Sequence, residues 1–200
     1  MGQGTTALIV QTVFRSIRIV LPVFYFLSTA LGILIFTNNE RLWFEMKKFY
    51  PHHVLAHSNF AHALWRRGLI NEAIAEYQVA IRLNPNYVYD HNSLAVCYYE
   101  KGFVDEAKRE FKIALQLNPQ FLDAYNNLGS IYVETNQYQE AIDCFEAAIR
   151  INPQYIPAYH NLGLVYTRLN RGPEAKNIWN KIRMISSEDQ TVRGSLESPQ

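Results

Sequence analysis

Cysteine and charged residues are both scarce in this chain of 200 residues. It has two cysteines, Cys97 and Cys144, and 18% charged residues, against about 25% in an average soluble domain. Two cysteines provide no disulfide framework and no paired Cys-x-x-Cys metal site. The chain also lacks a phosphate-binding glycine loop and the G-x-S-x-G and H-E-x-x-H motifs. We therefore predict a protein that is not an enzyme and uses no cofactor.

Acidic and basic residues nearly balance along the chain. Residues 1–53 carry five basic and two acidic side chains, and residues 54–189 carry thirteen basic and fifteen acidic ones. A domain that binds nucleic acid usually has a strongly basic patch that neutralises phosphates. We therefore expect no nucleic-acid partner.

One pair of histidines has the spacing of metal ligands. His53 and His57 are four residues apart, which would place both on one face of a helix. No third ligand is evident in the sequence. Partly packed histidines at the start of a helix are the better interpretation, so we predict no metal site.

The chain does contain a regular repeat. Prolines recur every thirty-four residues, at Pro51, Pro85, Pro119 and Pro153. A fixed period of this size is typical of a solenoid, in which each unit buries its apolar face only against its neighbours. The units, counted from the residue after each proline-marked turn, are 54–87, 88–121, 122–155 and 156–189.

The units share side-chain types at matching positions. Position 8 holds a small residue, namely Ala61, Ala95, Gly129 and Gly163. Position 20 holds alanine, at Ala73, Ala107, Ala141 and Ala175. Position 24 holds an aromatic residue, namely Tyr77, Phe111, Phe145 and Trp179. These spacings predict two helices per unit, each with one apolar stripe. Position 15 holds residues that tolerate the left-handed conformation at a helix end: Gly68, Gly102, Asn136 and Asn170.

This pattern resembles the tetratricopeptide repeat family over about residues 39–189. The resemblance implies an all-α fold, a right-handed α-solenoid of helix-turn-helix units. The last unit has Ser187 where the others have proline. After it, residues 190–200 are polar and are predicted to form a disordered tail.

The register also extends backwards, to Trp43 at position 24 and Met46 at position 27. Residues 39–53 are therefore predicted to be a half repeat, the second helix of a unit whose first helix is missing. Before it, 19–36 is an uncharged run that would span roughly 27 Å as a helix, close to the thickness of a bilayer. We predict a transmembrane helix there, after an N-terminal flank at 1–18. The expected localisation is a single-pass membrane protein, with the side of the repeats undetermined; a cleaved signal peptide and a buried core helix are the alternatives.

The family resemblance also assigns a candidate site. In the tetratricopeptide family, positions 2, 5, 6, 9, 12 and 13 of each first helix face a concave groove. The candidate peptide-binding residues at those positions are Asn59, His62, Trp65, Tyr89, Asn92, Tyr99, Asn126, Asn127, His160 and Asn161. An asparagine side chain offers an acceptor and two donors, which match the backbone of an extended peptide. The alternative is that these asparagines cap neighbouring backbone groups.

Some members of the family hold a partner's C-terminal carboxylate with a basic clamp. The matching positions here are Ser58, His62, Asp123 and Asn127, which disfavours that role.

Three functions are consistent with these observations. We predict a membrane-anchored scaffold that binds a protein or extended peptide segment in its groove and assists assembly or localisation of a membrane-associated complex. The alternative function is suggested by residues 37–53, which resemble the C-terminal end of polytopic membrane glycosyltransferases with tetratricopeptide tails. The chain would then be a detached accessory portion of such a protein. A structural homo-oligomer is the third possibility.

Overall fold

The computed structural model describes the backbone of residues 39–197 and the side chains of residues 42–187. Residues from Trp43 onward belong to one compact unit. The described range contains nine α-helices and no strand. They are α1 Asn39–Phe49, α2 Val54–Arg66, α3 Ile70–Leu83, α4 Val88–Glu100, α5 Val104–Leu117, α6 Leu122–Glu134, α7 Tyr138–Ile151, α8 Ile156–Arg168 and α9 Gly172–Glu197.

The helices stack in pairs, in the order of the thirty-four-residue units. The first helix of each unit (α2, α4, α6 or α8) packs against the second helix of the same unit, and each second helix packs against the first helix of the next. First helices also contact each other directly, α2 with α4 and α6 with α8. The all-helical solenoid expected from the sequence is therefore confirmed.

Position 15 turns the chain between the two helices of each unit. Its four residues have positive φ angles: Gly68 at 76°, Gly102 at 80°, Asn136 at 58° and Asn170 at 56°. The next backbone N–H then reaches back five residues, as when Leu69 donates to the Leu64 carbonyl at 3.0 Å. This arrangement satisfies a carbonyl at the helix end. The prediction of a left-handed residue at this position is confirmed.

The asparagine before each repeated proline ends the second helix. Asn84, Asn118 and Asn152 have extended backbones. Each side-chain oxygen accepts a hydrogen bond from the backbone N–H two residues later, at 3.2, 3.0 and 2.9 Å. Such a bond offers the chain a turn in place of a further helical turn.

The last helix has no such stop. Ser187 occupies the position of the repeated proline, and α9 continues to Glu197. The prediction of a disordered tail over 190–200 is therefore wrong as far as residue 197. Without the proline, no residue at this point removes a helical hydrogen bond or restricts the residue before it.

Close contact between small and aromatic residues forms the core. Ala107, Ala141 and Phe145 are completely buried. A Cβ atom added to Gly129 would lie 2.6 Å from Cε1 of Phe145, and one added to Gly163 would lie 2.8 Å from Cζ2 of Trp179. Both distances are shorter than van der Waals contact, so position 8 must stay small in these two units.

The helix before the first unit contacts that unit through side chains. Trp43 packs against the core of the first unit. The Phe44 and Phe60 rings are 5.7 Å apart, and the Lys47 ammonium lies 4.4 Å from the centre of the Phe60 ring while also pairing with Glu76. Side chains of α1 therefore pack on apolar residues of the first unit, and the interpretation of 39–53 as a half repeat stays a prediction.

Two histidines at position 4 tie helices together. The His91 Nδ1 lies 2.7 Å from Glu110 Oε2, and its Nε2 lies 2.9 Å from the Pro85 carbonyl. Since both partners only accept hydrogen bonds, both ring nitrogens donate and the ring is charged. The bond to Glu110 raises the pKa of His91 despite its burial. His57 has the same surroundings, 2.7 Å from Glu76 and 3.1 Å from a proline carbonyl, so neither of its ring nitrogens is open to a metal.

A buried carboxylate lies between the first two units. Asp90 is 2% exposed, and the Ser58 hydroxyl lies 2.8 Å from its Oδ2. Burial raises the pKa of Asp90 to about 6, although the Ser58 hydrogen bond and the nearby His91 favour the charged form. A charged Asp90 therefore costs folding free energy at neutral pH.

The prediction of single-pass membrane localisation is contradicted. Within residues 39–197, no helix combines the length and the hydrophobicity needed to cross a membrane. A spanning helix needs about 20 mostly apolar residues. The α3, α5 and α7 helices have 14 residues each, and α9, with 26, contains charged residues such as Lys176 and Lys181. The run at 19–36, on which the prediction was based, lies outside the described residues.

We predict that Gly129→Ala destabilises the fold by about 1–3 kcal/mol, because the new methyl group overlaps the Phe145 ring in a filled core. Gly172→Ala is the matched control, because a Cβ there meets no atom within 4 Å. Urea unfolding of the two variants measures the difference. Equal free energies of unfolding for both variants and the unmodified chain would show that the Phe145 contact does not limit the packing.

We also predict that Asp90→Asn stabilises the protein at pH 8 and not at pH 4. Since the folded state raises the pKa of Asp90 from 3.8 to about 6, it holds the proton more tightly, and the free energy of unfolding falls as pH rises through this interval. The neutral amide escapes this loss. The expected gain at pH 8 is about 1–3 kcal/mol.

The measurement for this second prediction is urea unfolding at both pH values, with the exposed Asp105→Asn as control. His91 also makes the unmodified protein and the Asp105→Asn control less stable as pH rises. Because its pKa is raised in the folded state, the stability that it contributes below pH 6.5 is lost as the pH rises through its folded-state pKa. A gain for Asp90→Asn of the same size at pH 4 and pH 8 would exclude titration of this carboxyl as the cause.

Candidate peptide-binding surface

Side chains on α2, α4, α6 and α8 bond to one another across unit boundaries. We call this surface the first-helix face; it consists of the ten candidate residues together with Glu100, Asp123 and Glu134. The Trp65 indole N–H donates to Glu100 at 3.0 Å, and the Tyr99 hydroxyl donates to Glu134. Asn161 Nδ2 donates to Asn126 Oδ1 at 2.9 Å. These three contacts join four successive first helices, so the face is continuous.

Amide groups without intramolecular partners lie on three of the four first helices. The side chains of Asn59 and Asn127 are half-buried and make no hydrogen bond to another described residue. The Oδ1 atom of Asn92 is buried and is the one such side-chain atom in the described region that lacks a partner. The alternative that these asparagines cap neighbouring backbone groups therefore has no supporting contact. Asn161 bonds a side chain, Asn126, and no backbone group.

Aromatic rings belong to the same face. Tyr89 is 60% exposed, and its ring lies 5.3 Å from Phe121 in an edge-to-face contact and 5.5 Å from Tyr87. The exposed His62 ring lies 5.6 Å from that of Trp65. Their contacts hold these rings in place while leaving part of their surface open to a ligand.

The ring of His160 contacts a second helix. Its ring is exposed, and it lies 5.5 Å from the Trp179 ring on α9, nearly perpendicular to it. The sequence prediction grouped it with the other first-helix residues. Its ring contact is instead with the second helix of its own unit, because Trp179 fills the space beside Gly163.

Sequence reasoning missed the two glutamates of this face. Glu100 and Glu134 both occupy position 13 of their units and are exposed. The hydrogen bond to Glu134 raises the pKa of Tyr99 to about 12. Asp123 accepts a hydrogen bond from the Tyr155 hydroxyl at 3.1 Å; burial, and then that carboxylate, raise the pKa of Tyr155 to about 12. The thirty-four-residue interval between Glu100 and Glu134 is the signal that could have revealed them.

Family models and known structures agree with this architecture. The model for the TPR repeat matches residues 61–102 and 129–170, and a tetratricopeptide repeat model matches residues 110–143. The crystal structure of MamA is 24% identical over 76% of this chain and 89% of that protein, with a TM-score of 0.71. MamA 41-end from Desulfovibrio magneticus RS-1 is 17% identical over 74% and 84%, with a TM-score of 0.68.

A third similar structure contains a ligand. The first TPR of Spaghetti (RPAP3), bound to the HSP90 peptide SRMEEVD, is 20% identical over 58% of this chain and 93% of that protein, with a TM-score of 0.56. No curated protein matches the sequence significantly. At these identities the known structures establish the fold, and the family models establish the repeat. The chain is therefore a solenoid of tetratricopeptide repeats.

Proposed function

We propose that this protein is a scaffold that binds an extended peptide segment of a partner protein along the first-helix face. The observation that supports it best is the row of unpaired amides at Asn59, Asn92 and Asn127. The side chains of Asn59 and Asn127 are half-buried and have no intramolecular partner, so a ligand backbone can bond to them without breaking a contact within the protein. The role proposed is recognition and not catalysis.

The spacing of the helices suits an extended chain. Packed helices lie about 8–10 Å apart, and an extended peptide advances about 3.3 Å per residue. A segment crossing the face would therefore meet a new first helix roughly every three residues. Bonds to the backbone tolerate different side chains, and the rings of Trp65, Tyr89 and Tyr99 would anchor apolar or cationic ones.

The RPAP3 structure supports a peptide ligand because that protein has the same fold and holds a peptide. Its ligand is not carried over to this chain, since Ser58, His62, Asp123 and Asn127 stand at the positions of the family's basic clamp. The glycosyltransferase alternative stays a prediction, as does self-association through the repeat ends.

The test begins with a library of random 12-residue peptides displayed on phage and selected on the full chain. We predict that the selected peptides bind Asn59→Ala/Asn127→Ala about tenfold or more weakly, because each lost pair of amide hydrogen bonds leaves polar groups unsatisfied at about 1–3 kcal/mol. Fluorescence anisotropy with labelled peptide gives the dissociation constants. Asn161 is unsuitable for this test because its loss would also break the bond between α6 and α8.

The matched control is Asn71→Ala/Asn180→Ala, which removes two exposed amides from the second helices α3 and α9. It should bind like the unmodified chain. Failure to select any peptide would refute the proposed function. A control variant that loses as much affinity as Asn59→Ala/Asn127→Ala would move the binding site to the second helices.

A further inference from the structure

Two carboxylates of the first-helix face, those of Glu100 and Glu134, have aromatic hydrogen-bond donors as partners. On the second helices, three acidic side chains lie within 4.0 Å of arginines along the same helix or turn, in the pairs Glu106–Arg109, Glu146–Arg150 and Glu174–Arg171. Glu100 and Glu134 form no ion pair with a described residue; their hydrogen bonds come from the neutral donors Trp65 and Tyr99. Their negative charge is therefore not balanced by a contacting cation within the described part of the chain.

The neutral donors hold these carboxylates in place and leave most of their acceptor sites free. A carboxylate has about four lone-pair sites, and each of these groups accepts one bond from the first helix of the preceding unit. Both glutamates are exposed, so the remaining sites face solvent. A carboxylate held in this way loses less side-chain freedom when it meets a charged ligand.

The rings next to these carboxylates also favour a cation. The face of a tryptophan or tyrosine ring attracts ammonium and guanidinium groups. The apolar stem of a lysine or arginine can lie against the same ring. Trp65 and Tyr99, which bond to the two glutamates, therefore provide an environment in which a long basic side chain makes both contacts.

Position 13 is basic in the first and last units and acidic in the two central units. The four units have Arg66, Glu100, Glu134 and Arg168 there, so the acidic positions lie between basic ends. Asp123, which accepts a hydrogen bond from Tyr155, is a third carboxylate of the face, but it lies at the other end of α6, roughly 16 Å from Glu134 along the helix axis.

We infer that the segment bound by this face is cationic, with lysine or arginine side chains beside Glu100 and Glu134. This inference rests on the proposed function, and it adds the charge of the partner. Since the two glutamates lie on successive first helices, the two basic residues of an extended segment are separated by about three residues. An acidic peptide would meet like charges at the centre of the face.

The test uses the same random 12-residue peptide library, selected in parallel on the full chain and on Glu100→Gln/Glu134→Gln. Peptides selected on the unmodified chain should be enriched in lysine and arginine, and the enrichment should disappear on the variant. The affinity of a basic peptide from the selection should fall about 3- to 30-fold in the variant, as two exposed ion pairs would give. Raising NaCl from 50 to 300 mM should weaken binding to the unmodified chain more than binding to the variant.

The control for net charge is Glu72→Gln/Glu140→Gln, which removes two exposed carboxylates from α3 and α7. It should keep the affinity and the salt dependence of the unmodified chain, with thermal melts confirming that all three proteins fold alike. Selected peptides that require Asn59 and Asn127 but show no basic enrichment would overturn the inference and leave the proposed function intact. If the control loses as much affinity for the basic peptide as Glu100→Gln/Glu134→Gln does, the preference for basic peptides comes from net charge, and the inferred site at Glu100 and Glu134 is wrong. An empty selection would refute the proposed function itself.

Discussion

The close approach of two helices at position 8 is the constraint on which the rest of this structure depends. An alanine or glycine there lets an aromatic ring from the second helix lie directly on the first, with Phe145 on Gly129 and Trp179 on Gly163. This contact fixes how each first helix is rotated about its axis. That rotation decides which positions are buried and which are left on the first-helix face. A larger residue at position 8 would therefore disturb both the core and the orientation of the candidate site.

The periodic part of the structure could be predicted because it repeats. Helix bounds, the left-handed residues at position 15 and the buried stripes all follow from side-chain types that recur every thirty-four residues. The polar contacts could not be predicted in the same way. Ser58 donates a hydrogen bond to Asp90, and Trp65 donates one to Glu100, across a boundary between two units. The sequence pattern of a single unit does not indicate which residues of two units pair in this way. His160 was assigned from its position alone, which does not show that Trp179 contacts it.

The membrane localisation failed for a different reason. It was based on the hydrophobicity of residues 19–36, and no helix within residues 39–197 is both as long and as apolar as a membrane span. In the helices of the repeats, apolar side chains alternate with polar ones at the spacing of a helix turn, since one side of each helix packs and the other meets water. Such helices are stable through their contacts with neighbouring units. The long α9 helix follows the same rule, with Ile185 buried and Met184 exposed.

The missing proline at Ser187 also determines where the chain leaves the repeats. In the first three units, Asn and Pro end the second helix and turn the chain back so that another first helix can begin. In the fourth unit, α9 continues for twelve residues beyond the corresponding point, Ile185, which is roughly 18 Å along its axis. The chain thus leaves the last unit along a helix axis and not through a turn. The residues after Ile185 therefore lengthen α9 itself, where the corresponding residues of the first three units form a turn and begin a first helix.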